Sequence, residues 1–486
     1  MLACAMLLRG SGVAKGPAIV VCPISTIRGT WVEHLRNWTN IPSERVLICD
    51  DKRNIPDSAE LLAAAYDVVL VTYSVLAIHF KQGWKYTVTP VPGTFPPKKI
   101  ASWDRVGSKT PTLFAANYSI AMYDEAHNFR NSVTKNLTHA SVRQLSSKAT
   151  YRVAATGTVV VNKPDDPAAI LDGMNVKHAL ANAKSWSNDK TRKTVSKFAA
   201  TRFADEFQHR AGSSVIADKM PEIQSRTIML DDPGFTADER EFYNESLQEA
   251  QTIQAMIRSN TADSQAMMRL TSLMTLMNRM VFHPELSLRS AAKCTPEQLT
   301  DIATRPSKKM LVISRAIDHI LCFHSKVVVV SHQTSILALC QAACKERSLM
   351  FTGKLSATER SVMVDRFLKK PDEKVLFLSL KAGSEGLHLV SDIGPTAMIF
   401  VTCWYAASAH RQCEARIHRM GQKNDIEIVS VMVKGTLDDA IYRMHAEKTA
   451  LSDAVMDKKF ANLKLVGNDQ MVWKSMGRLV SMCKPF

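Results

Sequence analysis

Short, wholly apolar runs rich in β-branched residues recur along the chain, separated by stretches of helical periodicity. The first three are Ala18–Cys22, Val68–Thr72 and Tyr118–Tyr123; after a long gap come Lys326–Val330, Val375–Leu378 and Ala397–Val401. Strands without polar alternation are buried on both faces, the mark of parallel sheets covered by helices. The two sets predict an α/β chain with two lobes. Between them, from about Asp172 to Leu288, strand character is scarce and helical periodicity strong, over Thr236–Arg258 and Ser264–Val281. Met256, Met267, Met268, Met274, Met277 and Met280 recur there at helical spacing, which predicts a core stripe. Gly83–Thr112, rich in Pro, Gly and Lys, reads as an exposed loop. The tail beyond Met456 mixes basic and apolar residues and carries no assignment, and no internal repeat is visible.

The 486 residues are enough for two or more domains, and a hydrophobic content of 46% is globular. A formal net charge of +16 favours a polyanionic partner. Ten cysteines occur without a Cys-x-x-Cys pair, so neither a zinc module nor a secreted disulfide framework is signalled. No apolar run reaches the ~20 residues needed to span a bilayer. Met1–Leu8 is apolar but lacks a basic leader and a small-residue cleavage site.

Candidate chemistry lies at two places. Asp124-Glu125-Ala126-His127 ends the third apolar run, and Gln412-x-x-x-Arg416-x-x-Arg419-x-Gly421-Gln422 lies far downstream. They read as the two facing halves of a nucleotide-hydrolysis site. A carboxylate pair at a strand tip can hold Mg²⁺ through Asp124 while Glu125 orients the attacking water. Arg416 and Arg419, three apart and so expected on one helical face, can neutralise charge on a γ-phosphoryl group. The alternatives are a carboxylate pair capping a helix or lining a solvated strand end, and a solvated basic helix face. The partner of such a site is a Gly-rich loop ending in Gly-Lys-Ser/Thr, and no Gly-x-x-x-x-Gly-Lys-Ser/Thr occurs. Gly10–Gly16 has the wrong spacing and precedes a strand, so it reads as a helix-to-strand linker.

With these pieces in order the chain resembles the Swi/Snf-type motors of superfamily two, from residue 1 to about 455. Ile19-Val20-Val21-Cys22-Pro23-Ile24-Ser25-Thr26, followed by Trp31 and Trp38, resembles the family's first DNA-contact segment, and Val71-Thr72-Tyr73 its second. Asp124–Asn131 resembles the hydrolysis motif, and Ala155-Thr156-Gly157-Thr158 the motif that couples it to lobe closure. Leu276–Arg279, His283-Pro284 and Val329–Gln333 are similar to the segments around the start of the second lobe. Thr352-Gly353, Ser379–Leu387 and Val433–Ile441 resemble further second-lobe motifs. His418-Arg419-Met420-Gly421-Gln422 separates the chain from spliceosomal-type helicases, which end this motif in Gly-Arg. Departures are Val159 for a usual proline, Ser384 and His388 for glycine and asparagine, and Thr402–Ala407 for Asp-Pro-Trp-Trp-Asn-Pro. The last puts the seating of the second lobe in doubt.

The resemblance implies two RecA-like lobes, at 1–170 and 301–455, with a helical protrusion and linker at 171–300 and a tail at 456–486. It implies ATP and Mg²⁺ as cofactors, with Asp124 holding the metal through water and Glu125, Arg416 and Arg419 catalytic. His127, Thr156, Gly157, Thr158, Gly383, Gly386 and Gln412 would couple nucleotide state to the lobes, although a satisfied buried histidine is the bland reading of His127. Ser25, Thr72, Gly353, Ser379 and Lys381 would touch DNA backbone, positioning the motor without reading sequence. Implied partners are double-stranded DNA and possible nucleosomes or chromatin proteins, with no membrane role and a nuclear location in a eukaryote. Met1–Leu8 resembles the helix that follows the phosphate loop, so the chain is expected to start just after that loop and to hydrolyse ATP negligibly as it stands. The competing expectations are a degenerate motor that grips DNA without hydrolysis and a single-strand RNA helicase.

Overall fold

The computed structural model describes residues 15–51, 54–90, 99–132, 135–157, 165–182, 184, 186, 194–207, 220–259, 261, 263, 265–288, 294–383, 387–404, 407–419, 421–445, 465–466, 470–472 and 480–486. The chain divides into two compact units, residues 1–209 with 451–473 and residues 210–450 with 474–486. The expected α/β class with two parallel-sheet lobes holds.

In the first unit β1 (Ala18–Cys22), β2 (Val46–Cys49) and β3 (Val68–Thr72) are followed by a hairpin, β4 (Trp84–Pro90) and β5 (Lys99–Arg105), and then by β6 (Tyr118–Tyr123) and β7 (Ala149–Ala154). The sheet runs β2-β3-β1-β6-β7, all parallel, with Ala18 opposite both Val68 and Ile120. β1 is central, and all five of its residues are buried. Its side chains alternate between two cores: Ile19 and Val21 on one face, Ala18, Val20 and Cys22 on the other. The chain reverses into β1 at Gly16 (φ +92°), where a Cβ would lie 2.3 Å from the Asn117 carbonyl oxygen, so only glycine fits. A short antiparallel strand, β8 (Thr194–Ser196), pairs with Gln470–Val472, which pairs with Leu465–Val466.

The hairpin corrects the expectation of a loop at Gly83–Thr112. Trp84 stacks on Phe80 (centroids 4.6 Å, planes 4° apart), Trp103 meets Phe80 edge-on at 5.4 Å, and Phe114 closes the cluster. Pro and Gly, frequent in this stretch, shape its reading from composition. The aromatic residues that bury area dominate its energetics.

In the second unit the sheet comprises β9 (Ile223–Leu230), β10 (Val327–Ser331), β11 (Ser348–Phe351), β12 (Val375–Ser379), β13 (Ala397–Phe400) and β14 (Ile426–Val433). Its order is β11-β12-β10-β13-β14-β9, again all parallel. β9 lies inside the stretch read as having little strand character. It is an edge strand matched to β14 over eight residues, and all but its last residues are exposed, so it lacks an apolar run. Helices Ala237–Ser259 and Ala266–Phe282 pack on each other. Only part of the methionine stripe is core: Met274, Met277 and Met280 are buried, whereas Met256, Met267 and Met268 are exposed. The tail also gains a role: Val480 and Cys483 are buried, and Phe486 packs on Tyr243 at 5.4 Å while Asn244 bonds its backbone N–H and carbonyl. The nine described cysteines are free thiols, and no described helix is long and apolar enough to cross a membrane.

Candidate active site

The carboxylate pair stands where β6 leaves the sheet. The Asp124 N–H still donates to Val21 of β1 at 2.9 Å, extending the ladder by one residue. Glu125 then turns left-handed (φ 50°, ψ 54°). That conformation costs a non-glycine residue about 1–2 kcal/mol and marks the end of the strand as strained. The Ala126 N–H is caught by Ala155 beyond β7 (2.9 Å), and the Ala155 N–H returns to Tyr123 (2.8 Å). The tips of β6 and β7 are thereby laced together.

This lacing assembles three of the expected residues. His127 Nδ1 lies 3.2 Å from Glu125 Oε2 and 3.1 Å from Thr156 Oγ1. Gly157 follows, exposed; Thr158 lies outside the described residues. Behind the turn, His139 bridges the Phe129 carbonyl (2.7 Å) and Asp172 (2.8 Å), and its bond holds the Asp172 carboxyl below the usual range.

Asp124 is held at several points, the Thr26 side chain and the Glu125 backbone among them. Trp31 donates Nε1–H to Oδ2 at 2.9 Å, and the Tyr73 hydroxyl donates to its carbonyl oxygen at 2.8 Å. Burial raises its pKa above the ordinary carboxylate value, opposed by the Trp31 bond. A half-buried carboxylate offering hard oxygen, its ionised form disfavoured by burial, suits a hydrated Mg²⁺, which would reverse that bias. The residues fit the ion. Nothing in the local pattern marks Trp31 or Tyr73 as partners of Asp124, because only folding brings them to it.

In the second unit the helix Ala407–Glu414 buries Ala407, His410 and Cys413 and carries Gln412, half-buried. The helix stops at Glu414, which corrects the expectation of two arginines on one helical face. Arg416 and Arg419 lie in the successive turns that follow, and the Arg416 carbonyl accepts Leu389 N–H at 3.1 Å instead of continuing a helix. Arg416 Nη1 also donates to the Leu387 carbonyl at 3.4 Å.

The remaining residues divide. Lys381 and Gly353 are exposed, and the Gly353 carbonyl accepts from Arg360 at 3.2 Å. Ser379 is buried at the end of β12. Thr72 is also buried, and its hydroxyl caps helix Tyr73–Lys81 by accepting Val75 N–H at 3.2 Å, so it shapes the turn from within. The Ser25 side chain and Gly386 lie outside the described residues, as do Val159, Ser384, Tyr405, Ala406, residues 10–14 of the linker and the Met1–Leu8 segment. At Gly383 a Cβ would meet Leu378 Cδ2 at 2.7 Å and Cys413 Sγ at 3.0 Å. Gly383→Ala is accordingly expected to destabilise the second unit by about 1–3 kcal/mol, read from urea denaturation. A loss below experimental error would show that the side chains can yield.

The divergent segment after β13 has its own support. Thr402 Oγ1 meets Ser331 (2.8 Å) and His332 (3.0 Å). Trp404 is gripped by two imidazoles: its N–H donates to His410 Nε2 at 3.0 Å, and its carbonyl accepts from His445 Nε2 at 2.5 Å. Cys403, His410 and His445 bring donor atoms within 4.8 Å of one another. Both Nε2 atoms are committed to backbone, so the cluster is a clamp.

Burial pushes His410 well below the usual imidazole pKa, and in the first unit it lowers His79 to about 4. For such groups the unfolded chain takes up protons first. Their contribution is complete above about pH 6.5 and is lost as pH falls towards the folded value. At pH 5 this costs about 2 kcal/mol at His79 relative to pH 7, and His410 acts in the same direction. Urea denaturation at both pH values, on the wild type and His410→Gln, checks this; an unchanged pH slope in the variant refutes the assignment to His410.

The SNF2-related domain matches residues 3–286, more than half of the chain. The chain belongs to the SNF2-related family. Among its SNF2-family relatives, the DNA repair and recombination protein RAD54 of Saccharomyces cerevisiae is 24% identical over 93% of this chain and 51% of its own length. The mouse SWI/SNF-related matrix-associated actin-dependent regulator of chromatin subfamily A member 1 is 23% identical over 91% of this chain and 39% of its own. The chain thus spans about half the length or less of these relatives. The Sulfolobus solfataricus SWI2/SNF2 ATPase core in complex with dsDNA aligns over 94% of this chain and 86% of that one, at 20% identity and a TM-score of 0.37. The family is one of helicase-like ATPases, with relatives named for DNA repair and for chromatin.

Proposed function

We propose that this SNF2-family chain is the motor core of an ATP-dependent translocase on double-stranded DNA, of the repair or chromatin-remodelling kind. The observation that carries the reading is the Glu125–His127–Thr156 constellation at the laced tips of β6 and β7, beside Asp124. In the proposed reaction Asp124 holds Mg²⁺ through water, and the bound ion supplies charge neutralisation at the phosphates. Glu125 orients the attacking water. His127 couples its carboxylate to Thr156, Gly157 and Thr158, so that movement beyond β7 is felt at the base. Gln412, Arg416 and Arg419 meet phosphoryl charge, with Gly383 and Gly386 shaping the loop that senses it. Lys381 and Gly353 are the exposed candidates for DNA backbone; Ser25, Ser379 and the buried Thr72 complete those segments. The lobe boundaries proposed are 1–170 and 301–455, around a protrusion at 171–300, and the proposed location in a eukaryote is the nucleus.

A second reading, a motor that grips DNA without hydrolysis, is favoured by one fact: no phosphate-loop pattern occurs within the 486 residues. Two measurements separate the readings. Fluorescence anisotropy with duplex DNA, single-stranded DNA and single-stranded RNA across a salt series should show duplex preference and a steep salt slope. ATPase assays with each nucleic acid should then show stimulation by duplex once a phosphate loop is supplied. Duplex binding with no stimulation in that setting supports the gripping relic, and preference for single-stranded RNA refutes both.

A further inference from the structure

Trp31 lies in the helical stretch that covers one face of the first sheet, where Ile27, Trp31 and Leu35 pack with Ala18, Val20, Cys22 and Met122. The residue is 7% exposed, so its ring belongs to the core. Its one polar atom does not. Nε1–H reaches Oδ2 of Asp124, 93 positions away in sequence, at 2.9 Å. Phenylalanine would fill much of the same apolar space. What tryptophan adds is a donor that cannot accept and that keeps its proton at any working pH. The bond restrains the carboxylate, while the Tyr73 hydroxyl restrains the backbone of the same residue. Asp124 is thus fixed by side chain and main chain at once, and one carboxylate oxygen is engaged by a defined donor.

We propose that Trp31 is a positioning residue for Asp124: by holding Oδ2 it orients the carboxylate toward a hydrated divalent cation. The inference rests on the metal role given to Asp124 under Proposed function. It assigns to the indole the task that outer partners of metal sites perform elsewhere, orienting a ligand whose own contact with the ion is weak and water-mediated. A purely structural Trp31 would contribute packing area and leave cation affinity untouched.

The test uses the intact chain with ¹⁵N-labelled tryptophan, whose seven indole N–H groups give separate signals. The Trp31 signal is assigned by its loss in Trp31→Phe and, independently, by nuclear Overhauser contacts of its indole with the core it packs in, Val20 and Met122 included. Asp124→Asn is expected to move that signal, because the acceptor loses its charge. Mn²⁺, added alone as the paramagnetic probe, is expected to broaden the Trp31 signal ahead of the others. Trp31→Phe, shown to be folded by its remaining indole signals, is expected to bind Mn²⁺ about tenfold more weakly in electron paramagnetic resonance titrations. Unchanged Mn²⁺ affinity in Trp31→Phe overturns the positioning role and leaves the proposed function standing. A wild-type Trp31 signal indifferent to Mn²⁺ overturns both this inference and the metal role of Asp124. Should Trp31→Phe not fold, the Asp124→Asn shift and the Mn²⁺ broadening decide the question on the native tryptophan, and failure of either refutes it.

Discussion

Glu125→Gln, in the chain joined to a phosphate-loop segment, is expected to lower DNA-stimulated ATP turnover by about 10²–10⁴-fold. Glutamine keeps the size of the side chain and can still bond His127 Nδ1, which lies 3.2 Å from Glu125 Oε2. It loses the charge that polarises water. Affinity for duplex DNA should stay within a factor of about two, since phosphate contacts come from other residues. Steady-state turnover and anisotropy on the same preparations read both effects. Wild-type turnover in Glu125→Gln would move the water-orienting role elsewhere. The 486 residues by themselves are expected to turn over ATP negligibly, because the backbone donors of a phosphate loop and its lysine are missing from the sequence pattern. Brisk turnover, lost in Glu125→Gln, would mean that other groups here hold the phosphates.

The largest stability effect is expected at Lys309. Its ammonium pairs with Asp438 between helix Lys308–Ile320 and the segment after β14, and both side chains are 1% exposed. Burial raises the Asp438 pKa, and Lys309 is the main influence opposing it. Lys309→Met would leave a carboxylate in the core with no counter-charge, a change that costs about 3–5 kcal/mol in buried pairs. The double variant Lys309→Met/Asp438→Leu should recover much of that loss, because no buried charge remains. Urea denaturation of the four proteins completes the cycle. A single-variant loss below 1 kcal/mol would show that Asp438 takes up a proton or reaches water. The pair also ties the support of the divergent Thr402–Trp404 segment to the sheet, since the Cys403 backbone donates to Asp438.

Sequence was informative where burial is two-sided. β1, β3 and β6 are read from pattern with the bounds they have in the fold, and β10, β12 and β13 within a residue. A strand covered on both faces must be apolar throughout, so its composition reports its position directly. The same reasoning fails at β9, whose pairing is carried by backbone hydrogen bonds that leave no trace in side-chain type. It fails again at the hairpin, where alternate aromatic residues bury the structure while Pro and Gly, frequent there, shape the reading from composition.

The site divides in the same way. Asp124 and Glu125 are candidates because a carboxylate pair at a strand tip is a specific pattern; His127 and Thr156 enter through the resemblance, and the fold brings His127 beside Glu125 and Thr156 beside His127. The placing of Arg416 and Arg419 was not legible, because a spacing of three is helical only if the helix continues, and the Arg416 carbonyl accepts Leu389 N–H instead. By itself the sequence determined the class of the fold, the two sheets and the candidate carboxylates, which follow from burial and local spacing, and the family, which follows from the resemblance of its ordered motifs. Tertiary structure alone decided that Trp31 and Tyr73 would hold Asp124 and that Lys309 would face Asp438. Those pairings join residues 93, 51 and 129 positions apart. Distances in space across such spans depend on how whole elements pack, and no local rule of spacing encodes them.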